Sequence, residues 1–235
     1  DALAAGAARL ELMQIDGIHR LSYRDGARFA AHDHDDGGPD GAAHDDHDHD
    51  HDHDHDHDRD HDHSGIDPHA WLDPVNAARW LGGIAAELAR LDPENAAIYA
   101  ANAQAAQAEL ATLQADIAAR MAKLSGDFVV FHDAYHYFEA RFDIEAAGAI
   151  SLSDASDPGP ARVAEIRDLV AETGIQCVFV EPQFNRGIVD AVFEGTGVRI
   201  GVIDPIGANL APGPGLYPAL LDAMAQSFES CLSPG

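Results

Sequence analysis

Ile175-Gln-Cys-Val-Phe-Val180, with Gly174 in front and Glu181-Pro182 behind, is the stretch that decides the fold class. A short apolar run rich in β-branched and aromatic residues, bounded by Gly and Pro, reads as a buried strand. An amphipathic helix over Pro160–Glu172, closed by Gly174, leads into it, and a helix over Asn185–Phe193, ended by Gly195 and Gly197, leaves it. Val198–Ile203 is the next strand and Tyr217–Leu232 a terminal helix. Upstream, Phe128–Phe131 reads as a buried strand and Ile144–Ile150 as a weaker one. Strands alternating with helices imply an α/β fold with a parallel sheet and right-handed crossovers. Ligands of such sheets sit beyond the carboxyl ends of the strands.

The preceding part of the chain is helical. Asp73-Pro74 is a helix-start signal, with Asp73 as N-cap and Pro74 at the first helical position. Val75, Ala78, Leu81, Ile84, Ala85 and Leu88 then recur at helical spacing. Asp92-Pro93 opens a second helix, and from there to Leu124 there is no Gly and no further Pro. At 1.5 Å per residue that helix is about 45 Å long, enough to brace two lobes. Nearer the start, Ala2–Ala8 followed by Leu10, Leu12, Met13 and Ile15 reads as a short helix running into a strand. Asp16-Gly17 and Asp25-Gly26 mark a turn and an irregular segment over 16–31. The chain opens at Asp1, inside the first helix and without Met, which suggests a processed chain or a fragment. The expected organisation is an N-terminal portion over 1–92, a linking helix over 93–124 and a C-terminal α/β lobe over 125–235.

The 235 residues carry a net charge of −27, of which 32–63, with 14 Asp and 1 Arg, hold −13. Such a chain repels phosphate backbones and anionic lipid surfaces, so nucleic acid and membrane are disfavoured as ligands and cations favoured. No stretch reaches the roughly 20 apolar residues that span a bilayer, and no basic–apolar–small signal pattern opens the chain. The two cysteines, Cys177 and Cys231, read equally as inert core thiols or as a disulfide.

The chemistry starts with 32–63, which contain 11 His and 14 Asp and no large apolar residue. Such a segment buries too little to offset its ordering entropy, so a disordered loop is expected. From His47 to His57 every second residue is His. Neutral imidazole suits Zn(II) and its neighbours. His44, His47, His49, His51, His53, His55, His57, His61 and His63 form an accessory metal loop, loose and acid-sensitive. The plainer reading is an acidic solvated linker.

His69 stands in Asp67-Pro-His-Ala-Trp-Leu-Asp-Pro74, where a lone histidine is more often structural than a metal ligand. His132 is better placed, at the carboxyl end of the strand Phe128–Phe131. His136, four residues on, could share a helix face and a metal with it; no Glu follows His132, so the His-Glu-x-x-His protease pattern is absent, and His136 reads as an exposed helix residue. Asp204 and Glu181 end their strands at the same sheet edge, as site carboxylates or as loop caps.

These residues carry a family resemblance. Asp67-Pro-His-Ala-Trp-Leu-Asp-Pro, Val130-Phe-His-Asp-Ala-Tyr-His-Tyr-Phe-Glu139, Cys177-Val-Phe-Val-Glu-Pro-Gln-Phe184 and Ile203-Asp-Pro-Ile-Gly207, with the His-rich loop ahead of the Trp motif, resemble the zinc solute-binding proteins of bacterial high-affinity ABC uptake systems, the ZnuA type. The resemblance implies two α/β lobes with parallel sheets joined by a long rigid helix, the N-terminal lobe being incomplete here. It implies a monomeric, non-enzymatic periplasmic protein that captures Zn(II) for an ABC permease in the inner membrane. It further implies His69 and His132 as zinc ligands, Asp204 as a fourth ligand or near neighbour, and a Cys177–Cys231 disulfide. The family's first metal-binding histidine lies upstream of anything in this chain, so a partial site is expected, with water in the open place. Two other functions compete: a zinc store or buffer built on the loop alone, and a zinc hydrolase with Glu181 as its general base.

Overall fold

The computed structural model describes residues 7–24, 26, 28–29, 65–151, 159–183 and 186–233. The His–Asp run over 32–63, with all nine accessory histidines, and the first six residues of the expected N-terminal helix lie outside the described residues.

Helix α1, Pro74–Leu91, starts where its sequence signal says. The Asp73 carboxylate accepts from the Val75 amide at 2.8 Å, and Pro74 fills a position that needs no N–H donor. After a 3₁₀ turn at Pro93–Asn95, α2 runs over Ala96–Met121 and packs against α1 as a helical hairpin. Its far end reaches the terminal helix α6, Leu216–Leu232: Arg120 donates to Asp222 at 2.6 Å and to Glu229 at 2.7 Å.

Four strands follow: β1, Phe128–His132; β2, Gly148–Ser151; β3, Cys177–Val180; and β4, Arg199–Val202. All pair in parallel, in the order β2-β1-β3-β4. The intervening helices are α3, His136–Phe142; α4, Pro160–Thr173, closed by left-handed Gly174; and α5, Arg186–Phe193. Alternate side chains of β1 enter different cores. Phe128 and Val130 join Ile117, Met121, Phe138 and Phe228, while Val129 and Phe131 join Ile166, Leu169 and Val189. The buried Cys177–Cys231 disulfide ties β3 to α6, with a Cα–Cα distance of 6.1 Å.

Two local expectations are corrected. The strand expected over Leu10–Ile15 is a 3₁₀ turn at Leu12–Gln14: Gln14 and Ile15 satisfy their amides on Glu11 and Leu12, and Gly17 turns the chain at φ +75°. The strand expected over Ile144–Ile150 begins only at Gly148. The sequence ahead of it is a return from left-handed Asp143, pinned where the Ala147 amide donates to the Phe128 carbonyl at 2.8 Å. Helix α3, of which only His136 was read from the sequence as a helix residue, buries Tyr137, Phe138 and Phe142. Among the described residues there is one sheet, and no helix is long and apolar enough to cross a membrane.

Candidate metal centre

The chain runs from β1 outward to β2, then returns across β1 to β3 and β4. The strand order therefore reverses between β1 and β3, and parallel sheets bind ligands outside the carboxyl ends at such a switch. His132 ends β1 and Glu181 follows β3. His132 is 3% exposed, with Nδ1 3.1 Å from Glu181 Oε1. The same oxygen accepts from the Tyr135 hydroxyl at 2.9 Å, and Glu181 Oε2 accepts from the Gln183 amide. Burial above all, and then the charge of Glu181, push the Tyr135 phenol well above its ordinary range, so it stays a donor.

The second histidine arrives from the motif ahead of α1. The Asp67 carboxylate accepts from the His69 amide at 2.8 Å and lies 2.6 Å from His69 Nδ1. Tyr137 of α3 holds this turn, donating to the Asp67 carbonyl at 3.0 Å while accepting from the Leu21 amide at 2.9 Å. Trp71 stacks at a tilt on His69, with 5.2 Å between ring centroids. The result is that His69 and His132 meet edge to face, ring centroids 5.1 Å apart, although 62 positions of sequence separate their motifs' histidines. Each ring has Nδ1 directed at a buried carboxylate, the arrangement in which Nε2 is the metal-binding nitrogen.

Asp204 is placed differently. Its carboxylate accepts from the backbone amides of Ile206, Gly207 and Ala208 at 3.1, 3.0 and 2.7 Å, capping its own turn. Among the described residues no three His, Cys, Asp or Glu side chains converge in a way that could hold a metal ion. The structure thus brings together two of the three expected ligands, with Glu181 behind one of them.

His136 is corrected. It does not share a helix with His132, which is in a strand; a turn over 133–135 separates them, and His136 opens α3 half-buried rather than exposed. Burial first, then the Arg24 guanidinium, lower its pKa from 6.5, against the opposing pull of Asp133 and Asp67.

Two contacts around the site escaped the sequence reading. Asp67 as the partner of His69 was detectable, because Asp-Pro-His is a spacing at which Asp caps the amide two residues on. Arg24 carried no signal. It donates to Glu139 at 2.7 Å and to Asp133, the neighbour of His132, closing the buried base of the motif. Burial raises the pKa of Glu139, and Arg24 opposes that rise.

Known proteins resemble this chain. The family described as zinc-uptake complex component A, periplasmic, matches residues 17–231. The high-affinity zinc uptake system protein ZnuA of Paracoccus denitrificans is 48% identical over 72% of this chain and 52% of its own length. Its counterpart in Brucella suis is 43% identical over 99% of this chain and 72% of its own length. The chain thus spans between half and three quarters of the length of these relatives. Among solved structures, a ZnuA crystal structure superposes with a TM-score of 0.63 at 30% identity, covering 71% of this chain and 60% of that one. A zinc-bound ZnuA deletion mutant gives 0.62 at 29%, covering 72% and 62%. With the match extending from Gly17 to Cys231, the chain belongs to the zinc-uptake complex component A periplasmic family.

Proposed function

We propose that this chain is the capture component of a zinc uptake system: a periplasmic monomer that binds Zn(II) as cargo and delivers it to an ABC permease in the inner membrane. The carrying observation is the buried His69–His132 pair at the switch point of the sheet, each ring backed by a carboxylate. Imidazole nitrogen favours Zn(II) over Mn(II), which prefers carboxylate and water oxygen. Two imidazoles leave two tetrahedral places for water or for donors beyond the described residues. In this reading the chain acts as a transport protein rather than an enzyme; Glu181, the general-base candidate named from the sequence, is engaged by His132, Tyr135 and Gln183. Asp204, in this reading, stays a ligand or near neighbour of the ion, since three amide bonds leave its Oδ2 a free acceptor site.

The run over 32–63 serves as an accessory collector, and removing it is the test. Zinc titration against a chelator, with and without 32–63, is expected to leave one site that disappears in His69→Ala and in His132→Ala. Loss of all zinc binding with the run would make the chain a buffer. Tighter Mn(II) than Zn(II) binding at the surviving site would overturn the metal assignment.

A further inference from the structure

We infer that Glu181 is a positioning residue for the metal centre: it selects the tautomer of His132, holding the proton on Nδ1 so that Nε2 carries the lone pair. The inference rests on the zinc-binding reading above and assigns a role to a residue outside the expected ligand set.

The geometry behind it is a carboxylate approached from three sides. His132 Nδ1 lies 3.1 Å from Oε1, the Tyr135 hydroxyl donates to Oε1 at 2.9 Å, and the Gln183 amide donates to Oε2. Glu181 is 3% exposed and Tyr135 fully buried, so water does not compete for these lone pairs. Both carboxylate oxygens already act as acceptors, Oε1 from Tyr135 and Oε2 from Gln183, so Oε1 meets Nδ1 as an acceptor and the proton sits on Nδ1. A neutral imidazole carries one N–H, so fixing it on Nδ1 leaves Nε2 as the acceptor. Free neutral histidine favours the opposite tautomer, with the proton on Nε2, which cannot bind a metal through that nitrogen. Glu181 therefore reverses an intrinsic preference. His69 has the same arrangement through Asp67, 2.6 Å from its Nδ1. Asp67 also caps the His69 amide, so replacing it disturbs the backbone as well; Glu181 is the cleaner probe.

The backbone reinforces this assignment. β1 and β3 are neighbours, with Val130 opposite Phe179, so His132 and Glu181 leave adjacent strand ends on the same edge. Tyr135 reaches the carboxylate from the turn between β1 and α3. Two chain segments meet on one carboxylate, the end of β1 with its turn and the end of β3, an arrangement that holds an imidazole in one orientation before any ion arrives.

The test is nitrogen-detected NMR of the whole chain labelled at histidine, in which each ring reports its own tautomer and its own zinc-induced shift. In the unmodified protein His132 is expected as the Nδ1–H tautomer. In Glu181→Ala it should move to Nε2–H while His69 stays unchanged, and zinc affinity read at His132 should fall by about 10- to 100-fold. Glu181→Gln, which preserves shape, guards against misfolding; there the same shift is expected, smaller in size. An Nε2–H tautomer in the unmodified protein, or either effect without the other, overturns the inference. Failure of the zinc reading would look different: zinc would leave both His69 and His132 resonances of the unmodified protein unmoved.

Discussion

Trp71 donates its indole N–H to the carbonyl of Pro205 at 3.0 Å, joining the motif that carries His69 to the turn that carries Asp204. Tyr217 of α6 completes the junction by donating to the Trp71 carbonyl at 2.7 Å. The metal-centre edge is thus assembled from residues more than a hundred positions apart. Trp71→Phe keeps most of the ring and deletes one hydrogen bond, so urea unfolding is expected to show a loss of about 1 kcal/mol. An unchanged midpoint would mean the bond contributes nothing.

Asp73 serves two elements at once. It caps α1 through the Val75 amide and receives Arg141 of α3 through two bonds of 2.8 and 2.7 Å, with its own side chain fully buried. Arg141→Ala leaves a buried carboxylate uncompensated and is expected to cost about 3 kcal/mol. Asp73→Ala loses the cap, about 1 kcal/mol, together with the ion pair, but frees Arg141 to reach water. The double variant should therefore cost clearly less than the two singles added, the signature of direct coupling. Additive losses in a denaturant-melt cycle would show that the pair is not coupled.

These contacts mark what the sequence could and could not disclose. Asp73-Pro74 and Gly174 act through their own backbones, and a cap or a left-handed stop is visible from the residue type alone. The strand ending at Val180 was equally legible, since four buried residues on both sheet faces read as one apolar run. The start of β2 was not, because it depends on where Asp143 turns and on which carbonyl Ala147 meets, both set by tertiary partners. At the metal centre, His69 and His132 stood out by residue type and position. Arg24 stood out in nothing: its worth comes from being folded onto Asp133 and Glu139, over a hundred residues away. Asp204 shows how residue type leaves a role open: readable as a site carboxylate or as a loop cap, it is engaged by three amides of its own turn.

His136 makes stability depend on pH in a defined direction. Its Nδ1 is buried and has no hydrogen-bond partner among the described residues, and its folded pKa lies below the ordinary 6.5. A group whose folded pKa is depressed contributes fully above its unfolded value and loses that contribution as pH falls. Unfolding free energy should decline below about pH 6.5, and His136→Gln should make that decline shallower. Parallel slopes between pH 7.5 and 5.5 in urea melts would exclude His136 as the source.

The Cys177–Cys231 bridge closes a loop of 54 residues between β3 and α6, with both partners buried. Closing a loop of that length in the unfolded chain is expected to stabilise the fold by about 2–4 kcal/mol. The double variant Cys177→Ala/Cys231→Ala should unfold at lower urea by that amount. Burial adds a kinetic consequence: Cys177 is sealed in the sheet, so a thiol reductant reaches the bridge only through opening events. Reduction of the native protein should be slow, and should accelerate in urea in step with unfolding. Fast reduction under native conditions, with an unfolding curve unmoved by the double variant, would show that the bridge neither stabilises the C-terminal helix on the sheet nor is protected by it.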